Sequence, residues 1–132
     1  FLTPAMLPAI IFIISAIVAF ATGSSWGTFA ICMPIALPLA FTFTGGELGT
    51  LVYACFGAVA GGGVFGDHCS PLSDTTVLSS TGSASDHIDH VQTQLPYALC
   101  CGTLAVIHIK SKAEKFGNLT KMIELPIVKC AD

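Results

Sequence analysis

Two carboxylates seven residues apart, Asp67 and Asp74, frame a hydroxyl-rich run in an otherwise apolar chain: Asp67-His68-Cys69-Ser70-Pro71-Leu72-Ser73-Asp74-Thr75-Thr76. An earlier interruption, Thr22-Gly23-Ser24-Ser25-Trp26-Gly27-Thr28, is also rich in hydroxyls but carries no charge. Hydroxyl oxygens, with backbone carbonyls exposed at a helix break, suit a small hard cation such as Na+. A helix N-terminus at such a break suits an anionic group. Taking a carboxylate out of water favours its protonated form, and a cation beside it favours the ionised form. One buried aspartate can therefore alternate between a proton and Na+, which is exchange chemistry. The plainer alternative is two ordinary loops, with Asp67 capping a helix at the water interface. The run from 67 to 76 holds more polar groups than a loop needs.

The remaining polar side chains are less specific. His68 has the chemistry of a proton relay, since imidazole titrates near neutrality, and equally that of a hydrogen-bonded spacer. His87 and His90 stand three apart beside Asp86 and Asp89. With His68 and Cys69 they contain the atom types of a mixed zinc site. Such a spacing arises readily by chance, so the preferred reading is a solvated helix capped by Asp86, with no zinc site expected. Trp26 is either a packing or interface anchor or a wall of a pocket at the tip of the first break.

These groups must be positioned by apolar segments. Residues 4–22 are almost continuously apolar, and nineteen residues at helical rise span about 28 Å, close to the hydrocarbon thickness of a bilayer. Residues 29–44 are apolar with Pro34 and Pro38 inside, and residues 48–66 are rich in Gly and Ala. Small residues let helices approach closely in lipid. Gly45-Gly46-Glu47 reads as a turn. Ser70 followed by Pro71 predicts a helix start and a short half-helix over 71–82. Residues 83–94 are polar and are placed outside the hydrocarbon or in a wet cavity, and residues 95–109 form a last, short apolar run. From Lys110 the chain reads as a soluble tail, placed on the cytoplasmic side because lysines cluster there.

Composition bounds the class. Of 132 residues, 53% are hydrophobic and 10% charged, against about 25% charged in ordinary soluble domains. Residues 1–46 hold no charged side chain, and all five lysines (110, 112, 115, 121 and 129) fall in the last 23 residues. Disorder requires polarity and charge, and nucleic-acid binding requires a basic face that a net charge of −3 does not supply. The six cysteines form no C-x-x-C pair and read as small packing residues. A membrane protein remains. A soluble metalloenzyme is the least favoured option, because so short a chain cannot cover these apolar runs.

The ordered motifs carry a resemblance. Thr22-Gly23-Ser24-Ser25-Trp26-Gly27-Thr28 is similar to the T-G-[ST]-S-W-G-T signature of the bacterial Na+/H+ antiporter family of the NhaC type. Residues 66–80, Gly66-Asp67-His68-Cys69-Ser70-Pro71-Leu72-Ser73-Asp74-Thr75-Thr76-Val77-Leu78-Ser79-Ser80, resemble its G-D-H-x-S-P-[IL]-S-D-T-T-x-L-S-S run. Residues 86–98 resemble its D-H-[IV]-x-H-V-x-T-Q-L-P-Y-A continuation. The resemblance covers about residues 4–107. It implies a carrier built from inverted repeats with hairpins and broken helices, which exchanges Na+ for H+ and in some members couples this to organic acids such as malate and lactate. It implies that residues 1–109 are a C-terminal transmembrane half-domain lacking its N-terminal half, with residues 110–132 a polar tail outside the family pattern.

The expectation is therefore an all-α, multi-pass protein of the cell membrane, with a helical hairpin and a discontinuous transmembrane helix, forming one half of an inverted-repeat carrier. It is expected to act as a transporter and not an enzyme, without a cofactor, its ions being Na+ and H+. Ser24, Ser25 and Thr28 from the first break are expected to meet Asp67, Ser70, Ser73, Asp74, Thr75 and Thr76 from the second around Na+. Asp67 or Asp74 exchanges the proton, and Asp74→Asn is expected to abolish Na+-dependent proton flux. The expected partners are the lipid bilayer and the missing N-terminal half, with a homodimer left open and no nucleic acid. A Na+-coupled organic-anion antiporter and a non-transporting membrane fragment stay as alternatives.

Overall fold

The computed structural model describes residue 4 and residues 6–128, with side chains to residue 115, and the described chain is helical without strands. Its order is α1 (Leu7–Thr22), α2 (Ser25–Phe43), α3 (Thr50–Cys69), α4 (Asp74–Gly82) and α5 (His87–Val128).

α1 and α2 form a hairpin whose turn is only Gly23 and Ser24. Gly23 adopts φ +64°, a left-handed conformation natural to glycine, and its N–H closes α1 on the Ala19 carbonyl at 2.8 Å. Ser24 is extended and its Oγ accepts from the Gly27 N–H at 3.3 Å, capping α2. The first interruption is thus narrower than the sequence suggested. Ser25 to Thr28 belong to the first turn of α2 because the Ser24 cap starts the helix there.

α3 lies against both earlier helices, and its small residues set how closely. A Cβ on Gly62 or Gly66 would run into the backbone of α1, at the Phe12 and Ala16 carbonyls, whereas one on Gly63 would meet the Phe29 ring of α2. The shared core holds Leu7, Ile11 and Phe12 from α1, Cys32, Ala36 and Ala40 from α2, and Val52, Cys55, Ala58 and Val59 from α3. The opposite faces are apolar as well: Ile13, Ile17, Ile31, Ile35, Phe56 and Val64 are exposed. Helices apolar on both faces suit a lipid surround. α2 and α3, at 19 and 20 residues, are long and apolar enough to cross a membrane; α1 is shorter, at 16 residues.

The helix start expected at Ser70 lies at Ser73. Residues 70–73 are non-helical, and α4 begins at Asp74. Ser70 turns its hydroxyl to α1, donating to the Phe20 carbonyl at 2.8 Å, and accepts from the Leu72 N–H at 3.1 Å. Ser73 Oγ accepts from the Thr75 N–H at 3.3 Å and so serves as the N-cap. Asp86 caps α5 as expected, accepting from the N–H groups of Ile88 at 2.8 Å and Asp89 at 3.3 Å.

α5 departs from the expected short run and polar tail. It is one helix of 42 residues that passes Lys110 without interruption. Lys110, Ser111, Lys112, Ala113, Glu114 and Lys115 contain neither Gly nor Pro, so nothing local ends the helix where the polarity changes. Cys130 and the final lysine, Lys129, lie outside the described residues. Along its middle, α5 stands off from α1 and α3. A groove of about 700 Å³ runs between them, lined by Phe12, Phe20, Phe65, Leu95, Leu99 and Val106 among others.

Candidate functional site

The polar centre of the described chain is the joint between α3 and α4. Asp67, half-buried in the last turn of α3, accepts at Oδ1 from the fully buried Ser73 hydroxyl at 2.7 Å. Ser73 Oγ lies 2.7 Å from Thr75 Oγ1. Serine has one hydroxyl hydrogen, and Asp67 takes it, so Thr75 donates to Ser73. The result is a directed chain from Thr75 through Ser73 to the Asp67 carboxylate, with a short charge-assisted link at its end. Both oxygens of Asp67 retain open lone pairs for a cation or a proton.

Four carbonyls of the joint are paired. The Asp67 carbonyl accepts from the Ser70 N–H at 3.1 Å, and that of Ser70 from the Ser73 N–H at 3.3 Å. The His68 carbonyl accepts from Thr76 Oγ1 at 3.3 Å and from the Gln94 amide at 3.2 Å. The Pro71 carbonyl accepts from Nε2 of His87 at 2.8 Å. Buried backbone groups left unpaired are costly, and here two of the four are paired by backbone N–H groups and two by side chains from α4 and α5. Ser73 Oγ gives its hydrogen to Asp67 and both lone pairs to Thr75, so the side-chain oxygens of Asp67 and Thr75 are the better candidate ligands.

The other expected site residues are distributed around this centre. Thr76 is buried and braces His68, and Ser70 ties the joint to α1. Asp74 is exposed in the first turn of α4. His68 is exposed, with its Nε2 2.7 Å from the Gln94 amide nitrogen. The amide nitrogen only donates, so His68 accepts at Nε2 and carries its hydrogen on Nδ1. From the first break, Thr28 is fully buried but donates to the Ser24 carbonyl at 2.9 Å, within its own turn. Ser24 is occupied with capping α2, and Ser25 is partly buried beside it. Trp26 is exposed and packs edge-on against Phe29, with ring centroids 5.9 Å apart. The two breaks do meet, through backbone: a Cβ on Gly23 would lie 2.8 Å from the Leu72 carbonyl group.

That contact yields a prediction. Gly23→Ala meets both a left-handed φ and the Leu72 backbone, neither of which a side chain can rotate away from. A loss of about 1–3 kcal/mol is expected, read as a lower unfolding temperature of the detergent-solubilised protein. Unchanged stability would show that the two breaks do not touch.

Sequence reasoning missed two members of this assembly, His87 and Gln94 of α5, as holders of the joint. Their spacing, i and i+7, places them on one helix face and was the available signal.

Comparison with known proteins finds several relatives. A protein of Haemophilus influenzae without an assigned function is 52% identical over 101 residues, covering 76% of this chain and 19% of its own. The arginine/ornithine antiporter ArcD of Halobacterium salinarum is 38% identical over 106 residues, 80% of this chain and 21% of its own. The malate-2H+/Na+-lactate antiporter of Bacillus subtilis is 38% identical over 95 residues, 72% of this chain and 19% of its own. The chain spans about a fifth of the length of these relatives. No solved structure matches it. The family model for the Na+/H+ antiporter family matches residues 1–109, most of the chain, so this membrane protein belongs to the Na+/H+ antiporter family.

Proposed function

We propose that this segment carries the cation- and proton-binding part of a secondary transporter of the cell membrane that exchanges Na+ for H+. The observation that carries the reading is the Thr75–Ser73–Asp67 chain at the α3–α4 joint, in a member of an antiporter family. Asp67 alternates between a proton and Na+. With Na+ bound, Thr75 offers a hydroxyl oxygen beside the carboxylate, while Ser70, Ser73 and Thr76 hold the joint. Asp74 adds a second negative charge near the N-terminus of α4, and Ser24 and Ser25 border the approach from the hairpin, with Thr28 buried behind them. His68 exchanges protons with the wet side. α3 and α4 are the two halves of one discontinuous crossing, since irregular backbone at membrane depth persists where it lines a cavity or is buried in protein. The remaining ligands and the opposing repeat come from the rest of the carrier, with lipid covering the apolar outer faces.

A second reading places an organic solute on the same scaffold. It is supported by the names of two relatives, an arginine/ornithine antiporter and a malate-2H+/Na+-lactate antiporter. One assay separates the two. In vesicles holding a full-length carrier that bears this segment, Na+ alone is expected to collapse an imposed pH gradient, while K+ leaves it intact. A gradient that collapses only when malate, lactate, arginine or ornithine is added would replace simple ion exchange by the second reading.

A further inference from the structure

We propose that α5 acts as a two-point polar clamp on the α3–α4 joint, with His87 and Gln94 as positioning residues for the ion site; this rests on the reading of Asp67 as that site. Two turns apart on one helix face, both reach the joint through their side chains. His87 spans two elements. Its Nε2 lies 2.8 Å from the Pro71 carbonyl, and its Nδ1 lies 3.1 Å from the hydroxyl of Ser80, which is buried in α4. A carbonyl only accepts, so Nε2 carries the hydrogen and donates it. The one hydrogen of the Ser80 hydroxyl serves either the Thr76 carbonyl, at 2.8 Å, or Nδ1, so this end of the imidazole sits against the body of α4. Gln94 grips the other side of the joint through both the ring nitrogen and the carbonyl of His68, the residue next to Asp67.

The two grips bracket residues 70–73. One holds the carbonyl of Pro71 and the other that of His68, so the angle between α3 and α4 is fixed from outside both helices. Ser73 reaches Asp67 only while that angle holds, because the two side chains sit on opposite sides of the joint. Among the described residues no other hydrogen bond of α5 reaches the joint. Its middle borders an apolar groove against α1 and α3, and Gly102 packs on the Phe65 ring farther along. Apolar contact of that kind holds α5 in place without directing any hydrogen bond at the joint. The clamp also accounts for the sequence run from Asp86 to Gln94, where Asp86 starts the helix and fixes the phase that turns His87 and Gln94 toward the joint.

The test uses a full-length carrier bearing this segment, with Na+ as the probe, and follows the half-saturating Na+ concentration and the maximal rate separately. His87→Ala is expected to raise the half-saturating Na+ concentration about tenfold, the effect of losing one directed hydrogen bond, and Gln94→Ala to raise it similarly. His87→Gln, whose amide nitrogen occupies the place of Nε2, is expected to restore affinity. His87→Asn, which reproduces only the Nδ1 side, is expected not to. A purely structural role would lower the amount of folded carrier and leave its Na+ affinity unchanged. Unchanged Na+ affinity in folded His87→Ala and Gln94→Ala, or equal losses for Ala and Gln at position 87, overturns the clamp. If His87→Ala does not reach the membrane, Gln94→Ala and the Gln–Asn comparison at 87 decide the same question. Retained Na+ affinity in Asp67→Asn would instead overturn the ion-site reading, so the two failures are told apart.

Discussion

Asp67→Asn is expected to abolish Na+-driven proton flux while leaving the fold in place. Asparagine keeps the shape of aspartate and can still accept from the Ser73 hydroxyl, so the 2.7 Å contact at the joint survives. It cannot ionise or carry the exchanged proton. Losing the carboxylate removes the charged ligand for Na+, and contacts to charged groups contribute about 1.5–3 kcal/mol, or about 10- to 100-fold in affinity. On the proposed reading coupling is lost as well, because proton and Na+ no longer compete at position 67. Flux in vesicles and the unfolding temperature of the purified carrier should therefore separate, the first lost and the second nearly unchanged. Asp74→Asn is the informative partner experiment. Asp74 is exposed and lies in the first turn of α4, so its loss tests whether a second carboxylate is also indispensable. Flux abolished by Asp74→Asn but retained in Asp67→Asn would transfer the proton to Asp74.

The chemistry at the joint was legible because it is written in residue types. Asp, Ser and Thr packed into an apolar chain are costly unless they pair or bind, and the sequence 67–76 gathers them in one place. The hairpin was legible in outline, since glycine beside a serine cap marks a helix end and a helix start at once. What stayed hidden was the partner of each hydroxyl. Ser70 and Ser73 are both plausible caps by type. Only the nearness of the Phe20 carbonyl, fifty residues earlier in the chain, diverts Ser70 to α1 and leaves the cap to Ser73. Thr28 likewise looked like a ligand by composition, yet it satisfies itself on the Ser24 carbonyl one turn back. His87 was read as part of a solvated helix because its partners, Pro71 and Ser80, belong to other elements. Long-range pairing of polar atoms follows from how closely the helices pack, and local pattern does not encode it.

Gly66→Ala puts that dependence to its strongest test, because one methyl group should disturb both the packing and the site. A Cβ at position 66 runs into the Ala16 carbonyl oxygen and comes within 2.8 Å of the Ala19 Cβ, so α1 has to move as a body. Gly62, one turn earlier, meets the Phe12 carbonyl and the Ser15 side chain in the same way. Neither obstacle is a flexible side-chain end, and overpacking of this kind costs about 1–3 kcal/mol or more. Displacing α1 also pulls the Phe20 carbonyl away from Ser70 and the Gly23 turn away from Leu72. The joint then loses its tie to the hairpin even in molecules that remain folded. Gly57 provides an internal control on the same helix. It is exposed and a Cβ there meets nothing within 4 Å, so Gly57→Ala gains helix propensity and is expected to stabilise by up to about 1 kcal/mol. Thermal unfolding in detergent should move the two variants in opposite directions from the parent, with Na+ affinity falling only in Gly66→Ala. Equal stability of the two variants would mean that α1 and α3 do not pack through Gly66, and the link from close helix packing to the Asp67 site would fall with it.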